Sequence, residues 1–160
     1  MDFNTQDARK AAEVPRALHI KTPAGTPINS ADGKPCLVYI IGASSKTVQN
    51  AIRDDARAKM KAADPVPVAG EPKPPEPDLT LEDYQAQAVA AASRLITGFE
   101  NIDNGNRPAK APDDVAWFLG LNMLQIATDP ESKKLLRKSF AQQVLDAAGD
   151  DTAFLDALPA

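Results

Sequence analysis

Cys36-Leu37-Val38-Tyr39-Ile40-Ile41 is the longest apolar run of the chain, and its reading decides the fold. β-Branched and aromatic residues suit a pleated, half-buried surface, and Gly42 stops the run at strand length. The run predicts a strand. Upstream, Leu18 and Ile20 alternate with Ala17, His19 and Lys21, the two-residue period of a second strand with one wet face. Between the two lies Thr22-Pro23-Ala24-Gly25-Thr26-Pro27, a turn signal rich in Pro and Gly. Ile28 follows as a short extended piece, and Asn29-Ser30-Ala31-Asp32-Gly33-Lys34 supplies the next turn, with Asp-Gly favouring positive φ. Residues 17–42 therefore read as a small antiparallel β-meander. Residues 1–16, polar and poorly alternating, read as an irregular N-terminal arm, and no internal repeat stands out.

Beyond Gly42 the period lengthens. Ser44 and Ser45 are N-cap types, and Val48, Ala51, Ile52, Ala56 and Met60 recur at helical spacing through 45–63. The other side carries Lys46, Arg53, Arg57, Lys59 and Lys61 against Asp54 and Asp55. Such a face suits water, or an acidic partner. Residues 17–63 thus form a sheet-plus-helix unit. Residues 64–79 hold six of the fourteen prolines and read as a stiff polyproline-type linker. Pro72-Lys73-Pro74-Pro75 resembles a ligand for proline-recognition domains, a plain spacer being the simpler reading.

Residues 80–160 read as a helical region, which makes the fold class α+β. Thr80 and Asp83 form a capping box, and Leu81, Tyr84, Ala88, Ala91 and Leu95 share one helix face up to about Gly98. Phe99-Glu100-Asn101-Ile102 and the turn Asp103-Asn104-Gly105-Asn106 follow. Pro112, Asp113 and Asp114 suit the start of another helix carrying Val115, Phe118, Leu119, Asn122, Met123 and Ile126, with Trp117 off that stripe. Asp129-Pro130 signals a helix over 130–148 that buries Leu136, Phe140, Val144 and Ala147 and leaves Lys133, Lys134, Arg137 and Lys138 wet. Gly149 closes it, and Phe154, Leu155 and Leu158 turn back toward the bundle.

Composition narrows the chemistry. The chain has 160 residues, 43% hydrophobic, with net charge −4 and pI ≈ 5.0, a balance that argues against a broad nucleic-acid surface. No run reaches the roughly 18 apolar residues of a membrane span, and no secretory signal is expected from Met1-Asp2-Phe3. One Cys and one His leave no intrachain disulfide and no four-ligand zinc site. A Cys36–His19 pair is weighed against a buried strand thiol beside a strand-borne imidazole, and the latter is preferred. Gly42-Ala43-Ser44-Ser45-Lys46 lacks the spacing of a phosphate loop. The adjacent carboxylates Asp54/Asp55, Asp113/Asp114 and Asp150/Asp151 do not face each other on a helix. With no catalytic set, metal or cofactor in view, the expectation is a non-enzymatic protein.

Several of these segments also carry a family resemblance. Leu18-His19-Ile20-Lys21, Pro-x-Gly, Asp32-Gly33 and Ile41-Gly42-Ala43-Ser44-Ser45 come first, followed by a basic helix. Gly98-Phe99-Glu100-Asn101-Ile102, Asp129-Pro130, Gln143-Val144 and the ending Asp150-Asp151-Thr152-Ala153-Phe154-Leu155 complete the order. Over residues 17–156 this is similar to the tail assembly chaperone-like proteins encoded among the tail-morphogenesis genes of tailed bacteriophages and prophages. The resemblance implies a virion morphogenesis protein of the host cytoplasm that binds the tape measure protein and recruits tail tube subunits, as an oligomer or within a larger assembly. The alternative is a structural subunit, minor or decorating, retained in the tail or capsid of the virion. Neither involves nucleic acid, membrane or cofactor. Phe99, Ile102, Trp117 and Phe118 are the candidate partner-binding patch, against the plainer reading of core residues closing the bundle.

Overall fold

The computed structural model describes Phe3 and residues 7–62, 80–121, 130–131 and 138–156. The expected linker over 64–79, the stripe residues Asn122, Met123, Ile126 and Leu136, and Leu158 lie outside the described residues. The architecture is α+β. Strands β1 (Arg16–His19), β2 (Leu37–Ile40) and β3 (Ile96–Glu100) form an antiparallel sheet in the order β1-β2-β3. The best strand of the sequence is thus the central one. Around it lie α1 (Ala8–Ala12), α2 (Lys46–Ala62), α3 (Leu81–Ser93), α4 (Val115–Gly120), α5 (Phe140–Ala148) and α6 (Asp151–Asp156), and a two-stranded hairpin pairs β4 (Asp103–Asn104) with β5 (Arg107–Pro108).

β3 corrects the expectation of a wholly helical region after residue 80. α3 stops at Ser93, and Ile96-Thr97-Gly98-Phe99-Glu100 becomes a strand because β2 offers it a free edge: Val38 faces Phe99 and Tyr39 faces Gly98. A ladder of that sequence separation has no local signature. The capping box of α3 is present as expected, Thr80 Oγ1 accepting from the Asp83 N–H at 3.2 Å and Asp83 Oδ2 accepting from the Thr80 N–H at 2.9 Å. The N-terminal arm is also corrected. Asp7 caps α1, whose Ala11 and Ala12 are buried. Two methyl groups are too faint an apolar signal to read as a helix face. The next residue, Glu13, accepts the Thr47 N–H and hydroxyl, each at 2.8 Å, and so shares the start of α2 with Ser45, whose hydroxyl accepts the Val48 N–H at 3.3 Å. The last long helix starts at Phe140, capped by Ser139, and Pro130 and Glu131 sit in a turn.

A repeat that the sequence reading missed lies between β1 and β2. Lys21–Ile28 (loop 1) and Asn29–Cys36 (loop 2) share just a glycine and a proline, Gly25/Gly33 and Pro27/Pro35, yet fold as copies. The Thr22 N–H donates to Thr26 O at 2.7 Å and the Ser30 N–H to Lys34 O at 2.8 Å. Each hydroxyl accepts from the same distant residue, Thr26 N–H to Thr22 Oγ1 at 3.1 Å and Lys34 N–H to Ser30 Oγ at 3.3 Å. Gly25 and Gly33 take φ of 100° and 80°, where a side chain would be strained. Ile20, Ile28 and Cys36, one period apart, close on one another: Ile28 N–H to Ile20 O at 2.9 Å, Cys36 N–H to Ile28 O at 3.1 Å, Ile20 N–H to Cys36 O at 3.1 Å. Hydroxyl and apolar positions repeat by type and not by identity, which hides the repeat from direct reading.

The core joins both halves of the chain. Ile20, Val38, Ile40, Leu95, Ile96, Phe118, Leu119, Phe140, Val144 and Phe154 are buried in one cluster. Beside it, Asp114 is buried and fully engaged. Arg107 donates to both its oxygens at 2.6 and 2.7 Å, the Lys110 N–H at 2.8 Å and Asn104 Nδ2 at 2.9 Å. The Arg107 hydrogen bonds first, then the Lys110 amide and Asn104, hold this carboxyl well below the usual carboxylate range. A carboxyl held low adds stability that is complete above its unfolded pKa, about 4, and is lost as pH falls through the folded value. The melting-temperature gap between the wild type and Asp114→Asn is therefore expected to be flat above about pH 5 and to shrink toward pH 2. A gap that stays constant in thermal melts across that range would show that the charge contributes nothing.

Candidate functional site

The four residues of the expected patch all lie in the core or at its margin, and they differ in exposure. Phe118, on α4, is 2% exposed; its ring stacks on Phe140 at 4.9 Å and meets the edge of Phe99 at 5.3 Å. It is a core residue. Phe99 on β3, Ile102 just beyond, and Trp117 on α4 pack against the core while half-buried. The part of the patch that reaches water is a rim of three half-buried apolar side chains, of which Phe99 lies against the Phe118 ring.

Cys36 and His19 do not form a catalytic pair. The Cys36 thiol is buried and donates to Asn101 O at 3.1 Å, and burial, with the Asp103 charge behind it, pushes its pKa up, away from a reactive thiolate. His19 Nε2 bonds Ile28 O at 2.9 Å. Among the described residues no three His, Cys, Asp or Glu side chains gather as metal ligands, and no helix is long and apolar enough to cross a membrane.

A groove of about 490 Å³ runs between loop 1 and α5, lined by Leu18, His19, Pro23, Lys138, Gln143 and Asp146. Its polar groups satisfy one another. Lys138 pairs with Asp146 at 2.8 Å, and Gln143 spends its amide on the main chain of Lys21.

An exposed apolar surface lies on α2. Seventeen residues make a rod of about 25 Å. Its apolar row runs at i, i+4 steps through Val48, Ile52, Ala56 and Met60, and successive members lie one above the other. Val48 enters the core and Ala51 is half-buried; from Ile52 through Lys61 every side chain is exposed. Ile52 is 44% and Met60 78% exposed. Arg53, Arg57, Lys59 and Lys61 flank the row, and Asp55 is drawn aside into an ion pair with Arg94 at the end of α3. Leu81 and Tyr84, in the first turn of α3, are exposed as well. The sequence shows the amphipathic pattern of α2; it does not show that the core ends after one turn.

Comparison of the chain with protein-family models, curated proteins and solved structures finds no match. Function must therefore be argued from these surfaces. They offer an exposed apolar row between cations and a half-buried apolar rim.

Proposed function

We propose that the protein is a non-enzymatic virion morphogenesis factor of the tail-assembly-chaperone type, and that it holds an elongated helical partner, the tape measure protein, along α2. The observation that carries this reading is the apolar row that leaves the core after Val48 and runs on, exposed, to Met60. A row of i, i+4 side chains is a ridge that fits the groove of another helix. The cations beside it favour a partner helix with acidic flanks, and opposite charge steers the encounter. The rim of Phe99, Ile102 and Trp117 is a second surface on which a tail tube subunit would be recruited.

The test uses the full chain with purified tape measure and tail tube proteins from the same genome. Ile52→Asp and Met60→Asp are expected to melt like the wild type, within about 0.5 kcal/mol, since neither side chain supports the core. Both are expected to weaken tape-measure binding by about tenfold or more. Wild-type binding by both variants would remove α2 from the interface. Mass spectrometry of purified particles separates the two assembly roles: a chaperone is absent from mature virions, and a structural subunit of tail or capsid is retained in them.

A further inference from the structure

Loops 1 and 2 differ in what covers them. The facing pairs Lys21↔Pro27 and Asn29↔Pro35 each lie between hydrogen-bonded pairs of their own hairpin, so Lys21 and Asn29 point their N–H and C=O outward. Proline opposite costs nothing there, because the N–H it lacks would also point away from the hairpin. In loop 1 the outward groups are filled. Gln143 Oε1 accepts the Lys21 N–H at 3.0 Å, Gln143 Nε2 donates to Lys21 O at 2.8 Å, and the Lys138 N–H donates to Pro23 O at 3.2 Å. One primary amide thus stands in for a neighbouring strand.

In loop 2 the Pro35 carbonyl is taken by another primary amide, Asn101 Nδ2 at 2.9 Å. The groups equivalent to those filled in loop 1, the Asn29 N–H and C=O and the Ala31 C=O, have no partner among the described residues, and both residues are exposed. We propose that loop 2 is a second docking cradle, and that its occupant is the first turn of a partner protein's helix presenting a glutamine side-chain amide to Asn29.

The first cradle defines the chemistry. A two-point bond to an N–H and a C=O of one residue needs a donor and an acceptor in one plane, which a primary amide has and a carboxylate or ammonium lacks. Gln143 reaches Lys21 because Ser139 caps α5 and fixes its first turn, the hydroxyl accepting from the Gln142 N–H at 3.2 Å. The partner therefore carries a hydroxyl N-cap with glutamine four residues later, and the residue before the cap gives its N–H to Ala31 O. A second copy of this chain does not qualify through α5, since its own Gln143 is engaged. The inference is independent of the α2 face.

The probe is a synthetic peptide of residues 138–148 in which Gln142→Lys is joined to Asp146 by a lactam, an i, i+4 bridge that holds the helix and leaves the Gln143 amide free. It is titrated into the isotope-labelled full chain and read by amide NMR. The Asn29 amide is expected to shift saturably, and the same peptide with Gln143→Met to bind about tenfold more weakly or worse. Asn29→Pro in the full chain removes the outward N–H; it is expected to keep the wild-type melt and lose the response. Should Asn29→Pro melt early, the two peptides on the wild-type chain decide the matter. No saturable shift at Asn29, an equal response to the Gln143→Met peptide, or a shift confined to Lys21 would each overturn the proposal.

Discussion

Phe118→Ala is expected to cost about 3–5 kcal/mol, the range for deleting a buried phenyl ring. For a chain of this length that lowers the melting temperature by about 6–20 °C. The high end is favoured by what the ring touches. It lies between Phe140 of α5, nearly parallel at 5°, and Phe99 of β3, inclined at 63°. Deleting it leaves two aromatic neighbours facing a void, and neither α5, tied to loop 1 through Gln143, nor β3, paired to β2, is free to collapse inward. Thermal and denaturant melts of Phe118→Ala and Trp117→Ala, made together, separate the two roles of this corner. Trp117→Ala is expected to lose much less stability because its ring is half-buried. If the rim docks a partner, Trp117→Ala loses binding that its fold does not explain. Equal losses of stability with unchanged binding would make the whole corner structural.

Local features of the fold were legible. The strand at 37–40, the Ser45 and Thr80 caps and the extent of α2 all rest on neighbours within four residues, where propensity and hydrogen bonding act directly. Features set by distant pairing were not. Phe99 is a strand residue because Val38 lies beside it, and Gly98 fits there opposite Tyr39. Asp114 suits a helix start in sequence, but in the fold its carboxylate gives no cap hydrogen bond and is spent on Arg107 and Asn104 of the β4–β5 hairpin. Asp129-Pro130 is a fair start signal, yet the helix begins at Phe140, where Ser139 also caps. For the docking surfaces the residue types were readable and their exposure was not. Phe118 and Trp117 are adjacent in sequence, and the packing of α4 sends one into the core and leaves the other at its edge.

Gly42→Ala is expected to cost about 1–3 kcal/mol, a large effect for one methyl group, because the chain crossing at Gly42 has no room for it. An added Cβ would stand 2.6 Å from Ala12 Cβ, 3.2 Å from Ala12 Cα and 3.3 Å from Phe154 Cε2. Ala12 and Phe154 are 0% and 1% exposed, so neither can swing into solvent. The backbone cannot back away either. The Gly42 N–H donates to Ala12 O and the Ala43 N–H to Ala148 O, each at 2.8 Å, stitching the crossing between α1 and α5. The strain is relieved by unseating the short helix α1 from α6, and Glu13 then lets go of Thr47. Faster limited proteolysis around residues 7–13 should accompany the lower melt. Ala12→Gly supplies the decisive control, since it deletes the atom in closest contact, at the last residue of α1. The double variant is expected to be more stable than Gly42→Ala alone, with a coupling of at least about 0.5 kcal/mol. Strict additivity in that cycle would place the clash elsewhere and leave α1 without its proposed dependence on Gly42.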